Sequence, residues 1–483
     1  MTRQLIALRS AAVALAITAL AACTVGPDYK RPDAPVPATY KELDGWKPAQ
    51  PRNAASDLAW WSVYGDPVLD GLERQIEVNN QNLKESEAAF RQASAVVAQA
   101  RAGFYPTVTL DASAQRTRPS TGSVTAVSPR IRNTFDTSAG ISSWEIDLWG
   151  RIRRTVESDV AAAQASAADI ASARLSLQGQ LAAAYFQLRV TDAVKQILDE
   201  SVEAFQRSLE ITQNRYNVGI AARTDIASAQ TQLENTRSQA VGLGVQRAQL
   251  EHSIAALIGR PPADFTLQPA SLALDVPVVP VGLPSTLLER RPDVASAERL
   301  MASANADIGV AEAAYFPTIT LSASYGFIST ATDTLFRTAS RTWALGAGAS
   351  QTVFDAGLRG ARVEEARAVY DQRVAQYRQA VLTAFQQVED NLAALRVLEQ
   401  QADVQAGALR AAREAEALTL NQYRAGTQAY TAVIIAQANA LSAQQTTLSI
   451  LQSRLVASVA LIQAIGGGWD AGQLPPPSML GAR

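Results

Sequence analysis

The sequence predicts a mainly helical fold that carries a small β portion of the membrane type. Three observations lead to this fold class. The chain is an internal duplication, each half contains a pair of segments in which apolar and polar residues alternate, and each half continues into a proline-free segment far longer than an ordinary globular helix. We therefore expect long antiparallel coiled-coil α-hairpins and four β-strands per chain.

The duplication is visible in residues 103–110, which read GFYPTVTL and return as AYFPTITL at residues 314–321. The copies lie 211 residues apart at this point, and downstream the offset settles to 207, which pairs Gly219 with Gly426. A shorter loop in the second half explains the change. A period this long, with two copies, predicts two structural modules and not a solenoid.

The first residues predict export from the cytoplasm. An apolar run from Ala11 to Ala22 follows a short basic start, and it is too short to cross a bilayer, which takes about 20 residues as a helix. Residues 1–22 are therefore expected to be a signal peptide. The ending Leu20-Ala21-Ala22-Cys23 resembles a bacterial lipobox, and the resemblance makes Cys23 the lipid-attachment residue. An ordinary signal peptide with a chance cysteine is the alternative. Thr24 at the next position points to the outer membrane.

The alternating segments have the length and pattern of transmembrane barrel strands. Alternation runs from Thr107 to Arg116 and recurs after Pro317, and returning strands are predicted at 134–144 and 342–351. A half-buried strand of a soluble sandwich would show the same alternation. Four strands cannot close a barrel, and open edges are not tolerated in lipid, so membrane insertion would require several chains to share one barrel.

The proline-free segments predict two helical rods. Residues 151–217 and 359–424 would each extend about 100 Å at 1.5 Å per residue. Each rod ends at a glycine turn, Gly219 or Gly426, where glycine favours the left-handed conformation that ends a helix. Returning helices are predicted at 224–258 and 431–465.

These expectations divide the chain into eight segments. They are the signal peptide (1–22), a lipidated N-terminal segment with the first short helices (23–103), the first transmembrane β-hairpin (104–149), the first long helical hairpin (150–260), a linker with the short helices of the second repeat (261–313), the second transmembrane β-hairpin (314–356), the second long helical hairpin (357–466) and a C-terminal tail (467–483).

Composition argues against several classes of function. The chain has one cysteine, Cys23, and one histidine, His252, so disulfide frameworks, Cys/His zinc sites and Ser-His-Asp triads are excluded. The formal net charge of -2 supplies no basic field for nucleic acid. We expect no catalytic residues, no metal site and no cofactor other than a covalent lipid on Cys23, and a structural role for His252.

Four further segments carry a family resemblance. They read ERRPDV at 289–294, FPTI at 316–319, EIDLWGR at 145–151 and YRAG at 423–426. Together they resemble the TolC-like outer-membrane efflux proteins, and within them the lipoprotein branch of OprM-like and NodT-like channels of tripartite pumps. The resemblance covers nearly the whole mature chain.

This resemblance implies a homotrimer whose chains share one twelve-stranded barrel in the outer membrane, with the helical rods forming a hollow tunnel in the periplasm. The implied partners are a periplasmic adaptor (membrane fusion) protein and an inner-membrane pump of the resistance-nodulation-division (RND) type, which supplies the energy. The expected function is passive conduction of drugs or other small molecules to the exterior, without enzymatic activity. A type I secretion duct, a periplasmic coiled-coil scaffold without a pore and a carboxylate enzyme are the alternatives.

The same resemblance implies a gate at the periplasmic tips, held in relatives by a tyrosine, basic groups and carboxylates near the glycine turns. The candidates are Tyr423, Arg424, Gln428, Ala432, Ile435, Asp225 and Tyr216, with Gly219 and Gly426 as the tip turns.

The chain departs from its relatives at Gln428, Ala432 and Ile435, where carboxylates are common. We therefore expect an apolar constriction around Ala432 or Ile435 that gates partly by dewetting. Packing between helices is the alternative for these two residues, and capping of a helix N-terminus is the alternative for Asp225.

Overall fold

The computed structural model describes residues 24–33, 36–37, 39–43, 59–118, 131–270, 276–277 and 289–481, so the predicted signal peptide and Cys23 lie outside the described residues. In chain order the main elements are α1 (Pro67–Asn79), α2 (Gln81–Ala102), β1 (Thr109–Thr117), β2 (Arg132–Glu145), α3 (Arg151–Asn217), α4 (Arg223–Leu257), α5 (Pro292–Ala313), β3 (Thr318–Ser329), β4 (Arg341–Ser350), α6 (Leu358–Ala425) and α7 (Tyr430–Ala464). This is the predicted fold class, and most element ends lie within two residues of the sequence-based bounds.

Two long hairpins dominate the molecule. The helices α3 and α6 contain 67 and 68 residues, which at 1.5 Å per residue gives rods of about 100 Å. Their returning partners α4 and α7 contain 35 residues each. The helix α7 is apolar enough to cross a membrane by length and composition, but it packs against α6 as the second arm of the hairpin.

Glycines with a left-handed backbone set the ends of both rods. Gly150 and Gly357 precede α3 and α6 with φ of 85° and 90°. Gly219 and Gly426 form the tip turns with φ of 79° and 81°, and their amides donate to the carbonyls of Tyr216 and Tyr423. Because a side chain at such φ is strained, the sequence stops each helix at the same place in both repeats.

The four strands form one antiparallel sheet in the order β1-β2-β3-β4, with β1 and β4 at its two edges. Its register places one row of apolar residues across all four strands, because Leu110 pairs with Ala139, Ala139 with Tyr325, and Tyr325 with Trp343. On the opposite face Asp111 pairs with Ser138. The apolar face is bare, since Leu110 is 80% and Trp343 70% exposed.

The duplication extends to individual contacts. The Asn80 side chain donates to the carbonyl oxygen of Leu257 at 2.7 Å. In the second repeat the Arg291 side chain donates to the carbonyl oxygen of Ala464 at 3.0 Å, and these two residues lie 211 and 207 positions after Asn80 and Leu257. A side chain on Gly466 would collide with the backbone of Arg290. Each repeat thus joins the end of its returning helix to the start of a preceding short helix.

The two ends of the described chain also occupy equivalent places. The N-terminal strap, residues 24–33, lies along α5, where Gly26 packs against Gly309 and Asn305 donates to the carbonyl of Pro27 at 2.9 Å. Near the C-terminus, Gly481 packs against Ala98 of α2 and donates its amide to Ser94 at 3.2 Å. Ser94 and Ala98 are the first-repeat equivalents of Asn305 and Gly309.

Candidate functional site

The tips of the two helical hairpins are joined by two buried tyrosines. The Tyr423 hydroxyl donates to Thr212 of α3 at 3.3 Å, and the Tyr430 hydroxyl lies 3.2 Å from the hydroxyl of Ser208. The two rings pack together with centroids 5.1 Å apart, and each side chain is 3% exposed. Burial raises the pKa of the Tyr430 hydroxyl, which therefore stays protonated. Both tyrosines belong to the second repeat and both partners to the first.

Arg215 completes this contact. Its guanidinium lies over the Tyr423 ring at 4.7 Å from the centroid, and its Nη1 donates to the carbonyl oxygen of Arg424 at 3.2 Å. A cation placed over an aromatic face in this way is worth about 0.5 to 2 kcal/mol, depending on exposure. The end of α6 is thus held to the end of α3 by one cation–π contact and two hydrogen bonds, and the start of α7 adds a third through Tyr430.

The first-repeat candidates lie in different surroundings. Tyr216 is 41% exposed, although it occupies the position of Tyr423 in the first repeat. Asp225 accepts a hydrogen bond from the backbone amide of Ala222 at 3.2 Å, so it caps the start of α4. This contact fits the capping alternative, and the structure brings no basic side chain to Asp225 among its described hydrogen bonds.

Of the three positions where the sequence predicts a departure from relatives, Gln428 lies just before α7, and Ala432 and Ile435 lie in its first two turns. Ile435 is 62% exposed, Ala432 is half-buried, and Gln428 is exposed and accepts from the amide of Ala429 at 3.2 Å. Ile435 is therefore not packed between the helices of its own chain. An isoleucine on an open helix face at the tip is available for contacts beyond its own chain.

Sequence reasoning missed four residues of the tip contact: Ser208, Thr212, Arg215 and Tyr430. Tyr430 lies seven residues after Tyr423 on the other side of the glycine turn. Because a tight turn brings these two positions side by side, the pair of tyrosines flanking Gly426 is the signal that could have found it. Ser208 and Thr212 carry no signal beyond their helical spacing.

The polar face of the sheet forms the other part of the candidate site. Asp111 of β1 and Asp136 of β2 lie on this face as diagonal neighbours, since their cross-strand partners are Ser138 and Ser113. Side chains in such diagonal positions lie about 7–8 Å apart. The rest of the face is built largely of serine, threonine and glycine, which leaves space on the side opposite the apolar row.

Residues 72–260 and 283–467 match the sequence profile of the outer membrane efflux protein family. The chain belongs to this family. This outer membrane efflux protein is 33% identical over 463 residues to the toluene efflux pump outer membrane protein TtgC of Pseudomonas putida, with 95% of each chain covered. It is 32% identical over 428 residues to the pyoverdine export outer membrane protein OpmQ of Pseudomonas aeruginosa, with 87% of this chain and 90% of OpmQ covered.

Solved structures show the same relationship. The outer-membrane channel OprN superposes with a TM-score of 0.86 at 30% identity, over 92% of this chain and 100% of the OprN chain. The efflux protein therefore has the TolC-like fold and is located in the outer membrane, as its sequence predicts. Its family is one of channels and not of enzymes.

Proposed function

We propose that this outer membrane efflux protein is the exit duct of a tripartite RND-type pump, through which drugs or other small molecules pass passively to the exterior. The observation that carries the proposal is a four-stranded sheet with one bare apolar face and two open edges, continuous with hairpins about 100 Å long. A sheet of this kind suits lipid on one side and water on the other. The hairpins suit a tunnel that crosses the periplasm.

A homotrimer supports this function best. Unpaired strand edges are costly in hydrocarbon, and β1 and β4 are both at the edge of the described sheet. Pairing β4 of one chain with β1 of the next closes the sheet, and three chains give twelve strands, the even number typical of such barrels. The polar face with Asp111 and Asp136 would then line the bore.

A lipid on Cys23 would anchor each chain beside its strands. The amide of Val25 donates to the carbonyl of Trp149 at 3.0 Å, and the buried guanidinium of Arg154 donates to the carbonyls of Val25 and Gly26, both at 3.1 Å. Residue 23 thus precedes by two positions Val25, which is fixed at the turn between β2 and α3. Acyl chains at this position would enter the membrane next to the foot of the sheet, where each buried CH₂ contributes about 0.8 kcal/mol.

The hairpin tips, at the far end from the sheet, are the place for the periplasmic adaptor and, through it, the inner-membrane pump. The contacts of Tyr423 with Arg215 and Thr212, together with that of Tyr430 with Ser208, would hold the tip closed until an adaptor binds. The exposed Ile435 and the half-buried Ala432 would form an apolar constriction, since the chain lacks carboxylates at these positions.

The test is conductance of the purified full-length protein in planar bilayers. We expect channel activity from a heat-modifiable trimer, and an altered conductance with stronger cation preference for Ile435→Asp. The matched control is Ile220→Asp, an equally exposed isoleucine at the first tip, which should change conductance less. A protein that stays a soluble monomer and never inserts would refute the duct, whereas an Ile435→Asp channel indistinguishable from wild type would refute only the constriction.

A further inference from the structure

The two short helices α2 and α5 are equivalent in the duplication but differ in burial. Ala302, Ala306 and Ala313 of α5 are buried, whereas their equivalents 211 residues earlier, Arg91, Ala95 and Ala102 of α2, are exposed. Other equivalent positions match, since Val97 and Ile308 are both buried. One face of α2 is therefore open where the same face of α5 is covered.

The cover on α5 is a helix of the other repeat. Besides α6, α5 packs against α3, where Ser303 lies 2.9 Å from Ser158 and Arg299 donates to Gln164 at 3.4 Å. The two helices run antiparallel along this contact, which places Ala302 about level with Ala161. The first-repeat helix α2 packs against α3, the rod of its own repeat. Since α3 and α6 are equivalent rods, the contact between α5 and α3 would correspond to a contact between α2 and α6.

The matching face of α6 is open as well. Ser158, Ala161 and Ala165 of α3 are buried under α5, whereas the residues 207 positions later, Glu365, Ala368 and Gln372, are exposed. The short helix of the second repeat thus covers the rod of the first repeat within the chain. The corresponding faces of the first-repeat short helix α2 and the second-repeat rod α6 are both bare. A second copy of the chain supplies the missing partner for each.

Charge supports the same pairing. Arg91 is exposed and, within the described part of the chain, has no ion-pair partner. Its equivalent Ala302 is level with Ala161, so Arg91 would be level with Ala368, one helical turn from the carboxylates of Glu365 and Asp371 on the same face. With Ser94 and Tyr105, Arg91 lines an open groove of 860 Å³ along α2.

We propose that this groove of α2 seats the α6 helix of a second copy, with Arg91 between Glu365 and Asp371 of that copy. The proposal rests on the homotrimer of the proposed function and specifies where its copies meet below the barrel. Each copy then gives one such groove and one such helix, which is the heterologous arrangement that closes into a ring.

Cysteine cross-linking tests the seat directly, because Cys23 is the single native cysteine and an acylated thiol would not react. The pair Ala88→Cys with Asp371→Cys corresponds to Arg299 and Gln164, which are in contact within the chain. Mild oxidation of the full-length membrane protein should convert most of it into covalent dimers and trimers on a non-reducing gel. The control pair Ala88→Cys with Asp403→Cys places the second thiol about 48 Å further along α6 and should give none.

Charge reversal provides an independent measurement. We expect Arg91→Glu to lower the trimer fraction in detergent several-fold, and Glu365→Arg together with Asp371→Arg to restore it. A trimer by light scattering that neither cross-links through the test pair nor responds to the reversal would overturn the seat and leave the duct standing. A monomer under all conditions would overturn both.

Discussion

A buried carboxyl group at Glu73 should make folding stability fall as the pH rises. Glu73 lies on the inner face of α1 with Leu69, Leu72 and Ile76, it is fully buried, and neither of its carboxylate oxygens has a hydrogen-bond partner among the described residues. Burial, followed by the neighbouring carboxylates of Glu77 and Asp70, raises the pKa of Glu73 from 4.5 to about 9.

The sign follows from proton binding in the two states. Between these two pKa values the folded chain keeps the proton and the unfolded chain loses it, so unfolding is favoured as the pH increases through this window. Each pH unit contributes about 1.4 kcal/mol, which makes the loss between pH 5 and pH 7 on the order of 3 kcal/mol per chain. Below about pH 4.5 the term is absent, because both states are protonated.

The assay is thermal unfolding of the detergent-solubilised protein, followed by its helical circular dichroism at several pH values between about 5 and 8. Glu73→Gln has no proton to lose, so it should remove this part of the pH dependence and be more stable than wild type near pH 7. Glu85→Gln, on an exposed face of the next helix, is the matched control and should follow wild type. Parallel curves for wild type and Glu73→Gln would refute the reasoning.

Three further predictions concern the bore, the tip and the repeat contacts. Asp111→Asn combined with Asp136→Asn should weaken the cation preference of the channel in bilayers under a salt gradient, and an unchanged reversal potential would show that the polar face does not line the bore. Arg215→Met should increase the open probability in single-channel records more than Tyr423→Phe does. The first change removes the cation–π contact and a hydrogen bond, whereas the second removes one hydrogen bond worth about 1 kcal/mol, so equal effects would contradict this order. Gly466→Ala should lower the unfolding temperature, because its φ is 94° and a Cβ would collide with Arg290, while Gly242→Ala, in an open helical position, should raise it slightly; two similar shifts would exclude the proposed collision.

Sequence alone predicted the elements of this fold because their signals are local. The absence of proline from 151–217 and 359–424 predicts continuous helices, and the left-handed glycines at 219 and 426 end them, so predicted and observed bounds of α3 coincide. The alternation after Thr107 likewise fixes which face of each strand is apolar. The register, which joins Leu110 to Trp343 across four strands, depends on pairing between distant segments and required the structure.

The tip was only partly predictable, because its contacts lie between the repeats. Tyr423 was named from a family resemblance, but its partners Thr212 and Arg215 lie more than 200 residues away in the chain. Helical periodicity places Thr212 on a face without specifying which helix will cover it. For the same reason the sequence left both capping and gating open at Asp225, and its bond to the Ala222 amide becomes visible only in the structure.

The asymmetry between the tips shows that the duplication alone leaves apolar faces of the chain uncovered. In the second repeat Tyr423 is covered by α3 of the first repeat, whereas its first-repeat equivalent Tyr216 is 41% exposed. The valines Val397 and Val404 of α6 are also exposed, at 51% and 76%, although Val190 of α3, the equivalent of Val397, is buried. Exposed apolar residues seven positions apart on a helix are typical of a coiled-coil seam. Val404 lies 22 residues before Gly426 and the exposed Val241 of α4 lies 22 residues after Gly219, so the two valines are equally far from their tips. A neighbouring copy that packs its α4 against this α6 would bury both valines. The same arrangement would bring the open face of its α2 to α6, the partner proposed above.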